Sequence, residues 1–114
     1  MSEQVYGPGS TTSADQCFVG RKADAGKPRW SLLPWNALGA VVSVLEFGAR
    51  KYAPGDWRHV PDARTRYFDA AQRHLLAWWS GEKSDPETQF PHLAHALCCL
   101  LFLLALELEA EQAQ

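Results

Sequence analysis

PHLAHALCCLLFLLALELE, residues 91–109, is the stretch that decides the fold. It reads as a helix from about Pro91 to Glu109 that is apolar almost all round, through Leu93, Ala94, Ala96, Leu97, Cys98, Cys99, Leu100, Leu101, Phe102, Leu103 and Leu104. A helix without a polar face must be surrounded by other elements. Two neighbouring helices do not cover it fully, so a second copy of the chain is expected to supply the rest. The uninterrupted apolar run, Ala96 to Leu106, has 11 residues, against roughly 20 for a bilayer span. No membrane insertion is expected, and the cytoplasm is the expected compartment. Glu107, Glu109 and Glu111 return the helix end to water.

Upstream, Pro86 and Pro91 bracket a loop, and Ser80-Gly81 weakens the helix before it. That second helix is expected over about 62–80, with Asp62 as N-cap and Tyr67, Ala70, Ala71, His74, Leu75 and Trp78 on one broad face. Ala53-Pro54-Gly55-Asp56 ends a first helix that begins near Pro34 and runs to about Tyr52. Leu38, Val41, Val42, Leu45 and Ala49 recur there at helical spacing as its buried stripe. Before it lies a loop holding four of the eleven basic residues in nine positions, Arg21 to Arg29, with Gly26 available for a positive φ. Residues 1–20 mix Gly, Ser and Thr without periodicity and read as a flexible arm. The expected fold is all-α: a compact bundle of three main helices, residues 21–114, completed by oligomerisation.

The totals agree with this outline. A chain of 114 residues allows one domain, and one of this size buries only about 60–68% of its unfolded surface, so a partner subunit helps. The net charge of -2, without a basic block, argues against stable nucleic-acid binding. Cys17, Cys98 and Cys99 are odd in number, and two are adjacent in an apolar helix, which is no disulfide framework. No basic and apolar leader opens the sequence, so no signal peptide is expected.

Polar residues that interrupt apolar helices carry the functional signal. Glu46 lies late in the first helix, and Arg73 and His74 lie mid-way along the second. Glu82 and Asp85 form an E-x-x-D pair just after it, and His92 and His95 an H-x-x-H pair opening the third. Residues three apart share a helix face. The second and third helices are antiparallel across a short loop, so two carboxylates and two imidazoles converge at one end of the bundle. Carboxylate oxygens suit Mg²⁺ or Mn²⁺, and imidazole suits Mn²⁺ or Zn²⁺ more than Mg²⁺. Taken singly, each has a plainer reading: a salt-bridged Glu46, a solvated acid pair, a capping histidine pair, a solvated His59, a solvated basic loop. Trp57, beside Gly55 and Arg58, is either core or a surface for stacking on a base.

The combination resembles a known family. The stretches are Gly20-Arg21-Lys22-x-Asp24-x-Gly26-Lys27-Pro28-Arg29-x-x-Leu32-Leu33-Pro34, Glu46-Phe47-Gly48-Ala49-x-Lys51-Tyr52 with Trp57, Arg73-His74-Leu75, Gly81-Glu82-x-x-Asp85, and His92-Leu93-Ala94-His95-Ala96. In this order they resemble the phage dATP/dGTP diphosphohydrolases, the MazZ-like members of the MazG-type all-α NTP pyrophosphohydrolases. The resemblance covers about residues 20–106. It implies Mg²⁺- or Mn²⁺-dependent cleavage of a purine deoxynucleoside triphosphate to the monophosphate and pyrophosphate. It also implies a homo-oligomer, a dimer or a dimer of dimers, and a role in phage nucleotide-pool remodelling or 2-aminoadenine DNA precursor synthesis.

Carried onto this chain, the resemblance implies Glu82, Asp85 and His74 as catalytic residues, and Glu82, Asp85, Glu46 and His92 as the metal set. Lys22, Asp24, Lys27, Arg29, Lys51, Trp57, Arg73 and His95 are the implied substrate contacts, because positioning and electrostatics dominate phosphoryl chemistry. One departure stands out: the family's E-x-x-E on one helix and E-x-x-D on the next are altered. The third helix opens on His92-x-x-His95, and the nearest E-x-x-D is Glu82/Asp85. In a simple hairpin Glu46 pairs in height with about Asp69, and Glu82 lies about 13 residues further on, roughly 20 Å. Either the helix breaks at Gly81 and folds back, or the site spans a dimer interface. Two rival readings are a non-catalytic helical module with a structural Zn²⁺ at His92, His95 and Cys99, and an HD-type phosphohydrolase, which lacks its adjacent His-Asp pair here.

Overall fold

A computed structural model describes residues 19–113. Three helices carry the fold: α1 (Trp35–Lys51), α2 (Ala63–Trp79) and α3 (His92–Gln112). Short 3₁₀ turns stand at Trp30–Leu32 and Asp56–His59. No strand occurs among the described residues, and the expected all-α class holds.

The chain divides into two compact units at Pro34. In the first, Asp24 to Lys27 form a turn closed by the Lys27 amide on the Asp24 carbonyl at 3.1 Å. Gly26 takes a φ of 83° there, the left-handed conformation such a turn requires at its third position. Arg21, Lys22, Asp24, Lys27 and Arg29 all have exposed side chains. Residues 1–18 of the expected arm, Cys17 included, lie outside the described part.

In the second unit α3 packs most extensively on α2 and less on α1. Small residues let the backbones approach: Ala71 on α2 is fully buried, and Ala94, Ala96, Cys98 and Cys99 on α3 are buried, with Val41 on α1. The Cys98 thiol reaches the Val41 carbonyl at 3.6 Å, tying α3 to α1. Val42 and Trp78, expected in the core, are exposed instead. Three helices leave one side of each element open, so the buried stripe is narrower than helical spacing alone implied.

α3 runs one turn beyond Glu109, because Glu107, Glu109 and Glu111 are good helix formers and supply no stop signal. By length and composition alone it is apolar enough to cross a membrane, with a mean hydropathy of 2.0 over an 18-residue window. The 11-residue run therefore understated its apolar length. Core helices of water-soluble proteins meet the same criterion. On its open side Leu93, Leu97, Leu100, Leu104 and Leu108 form a continuous exposed row.

Trp57 packs on α3. Its indole lies on the Phe102 ring, centroids 4.5 Å apart and planes 11° off parallel. The Arg58 guanidinium sits 4.3 Å from the ring centroid. The Tyr67 hydroxyl donates to the Trp57 carbonyl at 3.1 Å, and Arg58 pairs with Glu109 at 2.9 Å. These contacts make the Asp56–His59 turn a staple on α3.

Candidate active site

The end of α2 positions the site. Gly81 takes a φ of 109°, the Gly81 amide bonds the Trp78 carbonyl, and the Glu82 amide bonds the Ala77 carbonyl, each at 3.0 Å. This is a Schellman stop, which requires glycine at its left-handed position. The chain folds back at once, the first of the two alternatives posed by the sequence.

The returning loop is closed on itself. His92 donates its amide to Lys83, and Asp85 to Phe90, both at 2.9 Å, around the antiparallel bridge of Ser84 and Pro91. Inside, Gln89 adopts a φ of 70° while its amide bonds the Asp85 carbonyl at 2.7 Å. Pro86 follows Asp85 in the turn, the arrangement that favours chain reversal. Phe90 meets Phe47 of α1 edge-on at 5.7 Å. Lys83 to His92 thus form a firm platform.

Two hydrogen-bonded chains run through this platform. In the first, His92, only 4% exposed, sits with Nε2 2.7 Å from Glu82 Oε1 and Nδ1 2.9 Å from His74 Nδ1. A carboxylate only accepts, so His92 presents an Nε2 proton to Glu82. Where His92 Nδ1 accepts from His74, His74 keeps a lone pair on Nε2. In the second chain, the Thr88 hydroxyl donates to Asp85 Oδ2 at 3.0 Å and lies 2.7 Å from His95 Nε2. The His74 and His95 rings stack with centroids 4.5 Å apart and planes 8° off parallel, which joins the chains.

The electrostatics favour neutral imidazoles beside an ionised carboxylate. Burial, reinforced by the neighbouring His95 and His92, holds His74 below the ordinary imidazole range. Burial lowers His95 in the same direction, against the opposing pull of Asp85. Asp85 is itself partly buried, which works against its charge, yet the Thr88 hydroxyl and the Glu87 amide hold its carboxyl below the usual carboxylate range. Burial pushes the Cys98 thiol up to about 12 and raises Cys99 as well. Both nitrogens of His92 are engaged in the first chain.

The structure brings together His74, Glu82, Asp85, His92 and His95. The other sequence candidates stand apart from these bonds. Glu46 is exposed on α1 and shares none of them, and Arg73 is exposed on α2. The Lys51 ammonium rests over the Phe47 and Tyr52 rings at 6.0 and 5.3 Å. Lys22, Asp24, Lys27 and Arg29 belong to the first compact unit. Thr88, which joins Asp85 to His95, escaped the sequence reading. Its signal was Asp85-Pro86 opening a turn whose fourth residue is Thr88.

Among the described residues no three His, Cys, Asp or Glu side chains group so as to hold a metal ion by themselves. A hard dication needs no such cage: Mg²⁺ is held by one or two carboxylates together with substrate phosphates and waters. The Glu82 and Asp85 carboxylates, each with about four lone-pair sites, retain acceptor capacity beyond the bonds above and fit that role.

A family described as dATP/dGTP diphosphohydrolase, N-terminal, matches residues 19–114. A dATP/dGTP diphosphohydrolase of Salmonella phage PMBT28 is 34% identical over 86 residues, which cover 75% of this chain and 29% of that protein. The chain therefore spans less than a third of the length of that relative. No solved structure matches. With five-sixths of its length inside the family match, the chain belongs to the dATP/dGTP diphosphohydrolase N-terminal family.

Proposed function

We propose that this chain hydrolyses purine deoxynucleoside triphosphates, dATP or dGTP, to the monophosphate and pyrophosphate with Mg²⁺ or Mn²⁺. The observation that carries the reading is the closed 83–92 loop, which gathers two carboxylates and three imidazoles where α2 meets α3. The family membership and the printed activity of the phage relative support it.

In this reading Glu82 and Asp85 hold the dication, which when bound neutralises phosphate charge and lowers the pKa of the attacking water. His74 offers its Nε2 lone pair to that water and takes its proton, while His92 and Glu82 fix the ring from behind. The water oxygen bonds the α-phosphorus, the bond from that phosphorus to the bridging oxygen breaks, and pyrophosphate leaves with the electron pair. Lys22, Lys27, Arg29, Lys51 and Arg73 neutralise the remaining phosphate charge. A second copy covers the row of Leu93, Leu97, Leu100, Leu104 and Leu108, giving a dimer or a dimer of dimers. Neither membrane nor nucleic acid is a partner in this scheme, and it operates in the cytoplasm on the nucleotide pool.

The test is incubation with each common NTP and dNTP plus Mg²⁺ or Mn²⁺, with chromatography of the products. Monophosphate and pyrophosphate from dATP or dGTP are expected. Glu82→Gln and Asp85→Asn keep side-chain size and remove charge, so each should lower kcat by about 100-fold or more. Release of triphosphate or phosphate points to the HD-type chemistry, and no product points to a non-catalytic module.

A further inference from the structure

The Thr88 hydroxyl has three polar neighbours: Asp85 Oδ2 at 3.0 Å, His95 Nε2 at 2.7 Å and the Phe90 amide at 3.3 Å. A hydroxyl has one proton and two lone pairs. A carboxylate only accepts and an amide N–H only donates, so the roles are set. The proton goes to Asp85, and the Phe90 amide uses one lone pair. The second lone pair faces His95, so Nε2 must carry the imidazole proton and Nδ1 is left with a free lone pair. Every bonding site of the hydroxyl is used.

The distances add a second point. Asp85 Oδ2 stands 3.7 Å from His95 Nε2, too far for a direct hydrogen bond. The hydroxyl bridges that gap, so carboxylate and imidazole are joined through Thr88 and kept from closing on each other. The loop is built to hold it there: Gln89 accepts a left-handed conformation, and the Asp85 and Phe90 backbones are paired on either side.

We infer that Thr88 is a positioning residue of the active site, whose hydroxyl bridges Asp85 to His95 and fixes which nitrogen of His95 carries the proton. This rests on the reading of the site as a dNTP hydrolase. Thr88 touches neither phosphate nor water in that scheme and acts through its two neighbours. A supporting residue of this kind is worth about 10- to 100-fold in activity.

The experiment compares the full chain with Thr88→Val, which keeps the shape and removes the hydroxyl, and Thr88→Ser, which restores it. In ¹⁵N-resolved NMR, wild type and Thr88→Ser should show His95 protonated on Nε2 with a slowly exchanging proton, and Thr88→Val should lose that protection. In dGTP and dATP turnover, Thr88→Val should lower kcat about 10- to 100-fold with KM within about 3-fold, and Thr88→Ser should stay near wild type. A wild-type His95 protonated on Nδ1 overturns the inference, and this reading needs no variant to fold. It is equally overturned by a Thr88→Val chain with wild-type kcat, or by Thr88→Ser as impaired as Thr88→Val. A wild-type chain that hydrolyses no dNTP defeats the proposed function instead, while the NMR comparison still decides the placement of Thr88.

Discussion

Replacing His92 with leucine tests whether the imidazole chain supports the fold as well as the site. The side chain is buried between Glu82 and His74, with bonds of 2.7 and 2.9 Å. Leucine is close in volume, so the cavity term is small and the loss is mainly polar. At the Glu82 end the side chain is 51% exposed, and water replaces the lost partner at little cost. At the His74 end the donor is partly buried and becomes unpaired, which costs about 1–3 kcal/mol. Adding roughly 1 kcal/mol for the bond itself gives about 2–4 kcal/mol. For a domain of this size each kcal/mol moves the melting midpoint by about 4–8 °C, so a fall of roughly 8–32 °C is expected. Urea and thermal melts followed by circular dichroism measure it, at one fixed protein concentration because self-association shifts the midpoint. Glu82→Gln alone should cost under about 1 kcal/mol. A His92→Leu chain within about 0.5 kcal/mol of wild type would refute the reasoning, as would Glu82→Gln proving the more damaging of the two.

The remaining predictions concern pH, phosphate charge and assembly. His74 and His95 lie below their ordinary range in the fold, so the unfolded chain binds more protons as pH drops below about 6.5 and stability falls. Asp85, also lowered, contributes stability that is present above about 3.8 and is lost in stronger acid. The thermal midpoint should therefore drop between roughly pH 7.5 and pH 5, and a flat profile contradicts both assignments. Lys22→Ala and Lys27→Ala should each lower kcat/KM for dNTPs by about 5- to 150-fold, the scale of one charge-assisted contact; unchanged values remove the basic turn from the site. Leu104→Glu adds charge at a position already 52% exposed, so a monomer should tolerate it. Light scattering should then show a folded monomer in place of a multiple of 12.7 kDa, whereas a monomeric wild type ends the assembly proposal.

The helices were legible because their ends are written in Pro and Gly. Gly81 stops α2 and Pro91 precedes α3, and the expected ranges fall within one to three residues of those observed. Asp62 occupies the expected cap position, but its φ of 55° turns the backbone left-handed and its side chain makes no cap bond. The convergence of E-x-x-D with H-x-x-H was readable too, since spacing and a short loop dictate it. What escaped is tertiary: that Trp57 presses its ring on Phe102, that His92 commits both nitrogens, and that a turn threonine reaches His95. Each depends on the direction a side chain takes after the helices pack, which periodicity does not encode.

The fold-back at Gly81 has a kinetic consequence. Every member of the hydrogen-bonded network lies between His74 and His95, so its contacts are of short sequence separation and closing them orders only a brief stretch of chain. α1 meets the platform edge-on through Phe47 against Phe90, and packs on α3, where the Cys98 thiol reaches the Val41 carbonyl. Local contacts form fastest during folding. The α2–loop–α3 hairpin is therefore expected to assemble the network before α1 docks.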